Sequence, residues 1–406
     1  MLRNTRAVTR VVLRRAAAGC CSAVLLLWAV AGPGGAVAPA FASTPPDGPK
    51  EPSLAIPYGA QELWRNGITG RGATVAVLVS YGDPRVGEFM ADYDRQYGLP
   101  PADIRRIEPA GKVPTCTDPG VNTGNCRTWE SETRIDVAMI HTMAPRARIL
   151  IAATPVDETQ GETGMPEMMR ALDHITRHRL ADVVSMSFGS PEENFRDPHS
   201  IPAYRKAFER ARRAGITLVA SSGDHGPTGP LRDRQDRVHS HRVVAWPASD
   251  PLVTAVGGVQ LHVDASGRRT SPDTLWPRSG AGRSALFPRP AWQSRVVDDG
   301  ADGRSVPDVT MQGASGTSQA APLFAGVLAL AVQRHNGPLG DINPALYRLG
   351  RRGAAANGIV DVTEGDNSFG GVRGFAAGPG YDTASGWGTV ALDRFTRALA
   401  HEADMA

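Results

Sequence analysis

The sequence predicts an α/β fold, a doubly wound, mostly parallel sheet with helices on both faces. Three observations carry this. Short β-branched and apolar runs recur at residues 73–79, 147–152, 182–187, 216–220 and 253–256. Stretches with helical apolar spacing, at 132–143, 166–178, 202–214 and 318–334, alternate with them. The strand runs show no polar alternation, so both faces of each are expected to be covered, as in parallel sheets between helical layers. Ligands in such sheets bind beyond the carboxyl ends of the strands. The residues that follow each run are therefore where chemistry is expected. With 406 residues and 41% apolar content, the chain can bury one large core.

In chain order, residues 1–42 come first and stand apart from the fold. They hold Arg3, Arg6, Arg10, Arg14 and Arg15 and no acid, then an apolar run at 20–31, then Ala40-Phe41-Ala42. These are the basic region, apolar region and small-residue cleavage site of a secretory signal peptide. The apolar run is shorter than the ~20 residues of a membrane span. A secreted, extracellular protein without stable membrane association after signal cleavage is expected. Setting the five arginines aside leaves 39 basic against 41 acidic residues, so no nucleic-acid partner is expected. Residues 43–55 read as a Pro-rich linker and 56–402 as the folded domain. Cys116 and Cys126 remain after cleavage, in a polar Gly/Pro/Thr-rich loop. Two cysteines ten residues apart in an exported chain read as one disulfide, and no flanking His or further Cys completes a zinc site. Nothing points to an obligate dimer, so a monomer is expected.

The last helical stretch opens on Ser315-Gly316-Thr317-Ser318-Gln319-Ala320-Ala321-Pro322. A Gly turn there delivers Ser318 to a helix N-terminus, where backbone N–H groups can receive a developing oxyanion. A Ser hydroxyl needs a base, and the base needs an orienting group. A subtilisin-type protease has an Asp after its first strand and a His in a Gly-rich segment. Here the first strand run ends Val79-Ser80-Tyr81-Gly82, and none of the ten His lies in such a segment. His141 sits among apolar helix residues and reads as structural. Carboxylates fill the gap. Glu132 and Asp136 stand four apart and share a helix face, where like charges are unfavourable unless a proton is shared. Asp224, in Ser221-Ser222-Gly223-Asp224-His225, follows the run 216–220 at a strand's carboxyl end.

In this order, Glu132/Asp136, Ser221–Asp224, the segment 247–258, Arg304-Ser305-Val306-Pro307-Asp308-Val309 and Ser315-Gly316-Thr317-Ser318 resemble the sedolisin family of serine-carboxyl peptidases. The resemblance spans most of residues 56–392 and implies a subtilisin-like fold. It implies that Ser318 attacks a peptide carbonyl, Glu132 is its base, Asp136 orients Glu132 and shares its proton, and a protonated Asp224 faces the oxyanion. It implies polypeptide substrates, endopeptidase action and an acidic optimum. Tripeptidyl-peptidase action and a non-catalytic peptide-binding protein on the same scaffold are the alternatives. Ser187-Phe188-Gly189 resembles the family's substrate-edge segment, with Phe where Trp is usual. Asp361, Val362, Gly378, Gly380 and Asp382 resemble its C-terminal site for one structural Ca2+, two carboxylates and three carbonyls. The family is usually made with a large pro-domain; here only the short linker separates the expected signal from the domain.

Overall fold

The structure, a computed structural model, describes residues 53–197, 199–297 and 302–403. The expected signal peptide and most of the linker lie outside them. The central sheet has eight strands: β1 (Thr74–Ser80), β2 (Asp103–Ile107), β3 (Arg148–Thr154), β4 (Val183–Met186), β5 (Thr217–Ser221), β6 (Thr254–Gln260), β7 (Thr274–Leu275) and β8 (Val309–Gln312). Neighbours run β2-β3-β1-β4-β5-β6-β8, all parallel, with β7 antiparallel on the far end of β6. The chain thus enters mid-sheet at β1, places β3 on one side of it and β4 on the other, and leaves a crevice where the winding reverses. Ligands of doubly wound sheets occupy that crevice, and the loops after β3, β4 and β5 line it.

The five apolar runs all become strands, displaced by at most a few residues. The helices of 9 residues or more are α1 (Val86–Tyr97), α2 (Thr123–Met143), α3 (Met165–His178), α4 (Ser200–Arg213), α5 (Thr317–His335), α6 (Asn343–Arg351) and α7 (Leu392–Ala403). Helices cover both faces of the sheet. α3 and α4 pack on each other, and α2 packs on α5. α5 is apolar all round from Ala320 to Val332 and buried throughout, the signature of a helix inside a large core. It meets α2 at Gly326, where a Cβ would stand 2.8 Å from Met143 Cβ and 2.9 Å from the Ile140 carbonyl oxygen. That glycine is what allows the two helices their close approach.

The structure corrects the sequence in places. α2 starts nine residues before the predicted 132. Its first turns are polar because they border the crevice, so no apolar stripe marks them. Asn122 caps it, accepting the Asn125 N–H at 3.1 Å. Cys126 therefore lies in a helix rather than a loop. It is bonded to Cys116 as expected, with Cα atoms 5.4 Å apart. α1, α6, α7, β2, β7 and β8 were not expected. β2 is an exposed edge strand with Arg105 and Arg106 in its middle, so it lacks the apolar run of a covered strand.

Candidate active site

Ser318 is the second residue of α5 and half-buried. The turn before it depends on Gly316, at φ 133°, a left-handed value that favours glycine. A Cβ at Gly316 would sit 3.1 Å from Asp224 Oδ2, so the same glycine makes room for that carboxyl. Asp224, three residues past β5, is fastened under the turn. The Thr317 N–H and hydroxyl both donate to its Oδ1, at 2.8 and 2.7 Å. The Thr317 hydroxyl oxygen in turn accepts the Gly223 N–H at 3.1 Å. Oδ2 is left free of these bonds. Pro322, one turn into α5, has no N–H to give the Ser318 carbonyl.

The acids come from the middle of α2. Glu132 is 8% exposed and Asp136 fully buried. Asp136 Oδ1 accepts the Ser187 hydroxyl at 2.6 Å. Asp136 Oδ2 and Glu132 Oε1 are buried with no hydrogen-bond partner. Burial pushes Asp136 up to about 8, against the pull of Ser187. Burial first and the Asp136 charge second hold Glu132 well above the usual carboxylate range; Ser318 and Ser187 oppose them as hydrogen-bonding neighbours. Two buried carboxyls so placed cannot both ionise easily, and the pair keeps one proton. The fold thus brings Ser318, Glu132 and Asp224 to one cleft, with the fully buried Asp136 electrostatically tied to Glu132.

The cleft, about 330 Å³, is lined by Ser187, Phe188 and Gly189, by residues 157–160, and by Glu132, Asp224 and Ser318. Phe188 is buried. Ser187 lines the cleft, but its hydroxyl is turned to Asp136. Asp157, after β3, accepts the Trp129 indole N–H at 3.0 Å and the Asn125 amide, tying the start of α2 to the loop after β3. Asn125, Trp129 and Asp157 were not anticipated. Helical spacing could have found Trp129, one turn before Glu132 on the same face, and the strand-end rule could have found Asp157. His225 also lines the cleft, with its ring edge against Phe369; burial keeps its imidazole below the usual range. His141 is fully buried, as expected of a structural histidine, 2.9 Å from the Pro100 carbonyl oxygen.

Far along the chain, Asp361 and Asp382 both bond the backbone of residues 378–380. Asp361 Oδ2 accepts the Gly380 N–H at 2.7 Å, and Asp382 Oδ2 accepts the Gly378 N–H at 2.9 Å. The Ala384 and Ser385 N–H groups bond Asp382 Oδ1, both at 2.8 Å. Val362 is buried beside them. The described residues hold no group of three or more His, Cys, Asp or Glu side chains able to bind a metal. The set present is two carboxylates with backbone carbonyls, an all-oxygen set of the kind calcium takes. No helix among the described residues is long and apolar enough to cross a membrane.

A model of the Subtilase family matches residues 120–348. Kumamolisin from Bacillus sp. (strain MN-32) is 30% identical over 87% of this chain and 65% of its own length. Sedolisin from Pseudomonas sp. (strain 101) is 24% identical over 81% of this chain and 58% of its own. The chain thus spans less than two thirds of either relative. The solved structure of Pseudomonas sedolisin, a serine-carboxyl proteinase complexed with two molecules of pseudo-iodotyrostatin, is similar with a TM-score of 0.71 at 22% identity. The match covers 88% of this chain and all of that one, a likeness of fold.

Proposed function

Because this chain belongs to the sedolisin family of the subtilases, we propose that it is a serine-carboxyl endopeptidase that hydrolyses polypeptides at acidic pH. One observation carries the reading: a Ser at a helix N-terminus faces a buried pair of carboxyls, with a third carboxyl fastened under the nucleophile's turn. Ser318 attacks the carbonyl carbon of the scissile bond. Glu132 accepts the Ser318 proton and returns it to the leaving amine. Asp136 holds Glu132 in place and shares a proton with it. The oxyanion forms near the α5 N-terminus, where the Ser318 N–H donates to it; Asp224 donates a second hydrogen bond from a protonated Oδ2. That last group donates only as the neutral acid. An extended substrate pairs with the backbone of Ser187, Phe188 and Gly189.

Calcium fits the loop of Asp361 and Asp382. Those two carboxylates, with the carbonyls of Val362, Gly378 and Gly380, would hold one ion, whose role is to tie the Gly-rich tail to the body. The expected signal peptide, outside the described residues, makes the protein secreted, acting as a monomer. The test of the activity is digestion of an unfolded protein substrate at acidic and neutral pH, with Ser318→Ala as control. Cleavage is expected in acid only, and Ser318→Ala should lose at least about a thousandfold. Cleavage that persists in Ser318→Ala, or that is best at neutral pH and survives Glu132→Ala, would overturn the reading.

A further inference from the structure

We propose that Glu158 is a specificity residue of the cleft, selecting polypeptide chains that place a Lys or Arg side chain against its carboxyl near the scissile bond. This rests on the peptidase reading and names the substrate class within it. Glu158 stands in the loop between β3 and α3 and lines the same cleft as Ser318, Glu132 and Asp224. The loop holds its backbone firmly. The Glu158 N–H donates to Ser80 Oγ, at the end of β1, at 2.9 Å, and the Ser80 hydroxyl donates to the Val156 carbonyl oxygen, also at 2.9 Å. Gly164, at φ 78°, comes so close that a Cβ there would stand 2.7 Å from Glu158 Cα. The side chain thus starts from a pinned point, as a selective contact requires.

What singles Glu158 out among the acids of the cleft is that its carboxyl is uncommitted. Asp224 is bonded to Thr317, Asp157 to Trp129 and Asn125, and Glu132 is assigned to Ser318 as its base. Glu158 Oε1 is buried with no hydrogen-bond partner, which is costly while the cleft is empty. No Lys or Arg is among the described residues that line the cleft. The protein therefore leaves this carboxyl for a group that the substrate brings. An ammonium or guanidinium satisfies it with a charge-assisted hydrogen bond.

Proton and cation compete for that one carboxyl. Burial first and the Asp157 charge second hold the empty Glu158 carboxyl well above the usual range. A cation seated against it favours the ionised form, so an arriving Lys or Arg side chain sends the Glu158 proton to solvent. The preference for Lys or Arg should therefore be weakest at the acid end of the activity range and grow as pH rises.

The experiment measures kcat and KM on N-acetylated peptides in which Lys, Arg, Gln and norleucine are exchanged at each position around the cleaved bond. Wild type and Glu158→Gln are compared across the acidic range, and the same peptides are titrated by calorimetry into Ser318→Ala with and without Glu158→Gln. Wild type should favour Lys or Arg over Gln and norleucine at one position by at least about tenfold in kcat/KM, mostly through KM and more so at the higher pH. Glu158→Gln should lose that preference. A wild type indifferent to charge at every position would overturn the proposal, and so would a preference that Glu158→Gln retains. An equal fall for all peptides in Glu158→Gln would overturn it too, assigning Glu158 to the shape of the cleft. The same holds for a Glu158-dependent preference for free over acetylated N-termini, which would assign the carboxyl to the terminal ammonium of an exopeptidase substrate. A wild type that cleaves no peptide would sink the peptidase reading alone, because the calorimetric difference between Lys and norleucine peptides still decides the role of Glu158.

Discussion

Asp136 is a residue whose protonation is built into the fold. Its carboxyl is held up to about 8, against an ordinary value of 3.8, by burial. Between those values the folded protein keeps a proton that the unfolded chain has released. The stabilisation from this group is therefore complete below about pH 4 and drains away as pH rises to about 8. Asp136→Asn is neutral at every pH and lacks that drain. Calorimetric Tm should show the variant gaining on wild type at pH 7 relative to pH 4, by the equivalent of at least about 1 kcal/mol. An identical Tm difference at the two pH values would show that Asp136 is not held protonated. The acid pair itself was legible in the sequence, because two carboxylates four apart beside an apolar stripe are chemically conspicuous. The direction of the Ser187 hydroxyl was not. Ser187 was read only as an edge residue, and its contact with Asp136 joins positions 51 apart in the chain, which no local pattern encodes.

At the scale of elements, the geometry of the site is the packing of α2 on α5. One helix carries Glu132 and Asp136, the other Ser318, and Gly326 sets their separation. Helix backbone on the facing side cannot move aside for a methyl group 2.9 Å from the Ile140 oxygen. Gly326→Ala should push the helices apart, cost about 1–3 kcal/mol of stability and lower kcat at least about tenfold, since small misplacements of catalytic groups are expensive. Gly337→Ala, where a Cβ would meet only the His335 ring at ordinary contact distance, is the control. Matching kinetics for the two variants would defeat the argument. The sequence announced α5 because it is apolar all round, and announced only the second half of α2. The first half is anchored by the Cys116–Cys126 bond and by Asp157, so its helical state is fixed from outside. The edge strand β2 was missed for a related reason: a strand covered on fewer sides needs fewer apolar residues.

For the whole molecule, the C-terminal tail is joined to a buried polar network that reaches the start of β6. Arg304 and Asp308, both fully buried, pair at 2.6 Å. Asp308 also accepts the Ala255 N–H at 2.8 Å, at the start of β6, and the Tyr347 hydroxyl at 2.9 Å. Tyr347 lies 3.3 Å, oxygen to oxygen, from Tyr381, the neighbour of Asp382. Breaking such a buried pair typically costs about 3–5 kcal/mol, so the loop of Asp361 and Asp382 is joined to a rigid frame. If one calcium ion sits there, EGTA should lower Tm by several degrees, about the effect of 1–2 kcal/mol, and calcium should restore it. Asp361→Ala and Asp382→Ala should each abolish that response. A Tm indifferent to chelator in wild type would remove calcium from the description. The sequence showed the Gly-rich tail and its acids; the tyrosine bridge to Arg304 depends on packing between distant segments and left no local trace.

The Gly326 crossing has one more consequence, for the order in which the protein becomes itself. The acid pair and the nucleophile lie far apart along the chain, and contacts of long sequence separation form late in folding. Strands and helices can be in place while Ser318 and its proposed base are still apart. A refolding protein should therefore regain its far-ultraviolet circular dichroism before it regains cleavage of a peptide. Simultaneous recovery would contradict this. For a molecule proposed to cut polypeptides, the delay is protective: the blade is assembled only after the chain that carries it has ceased to be an extended substrate.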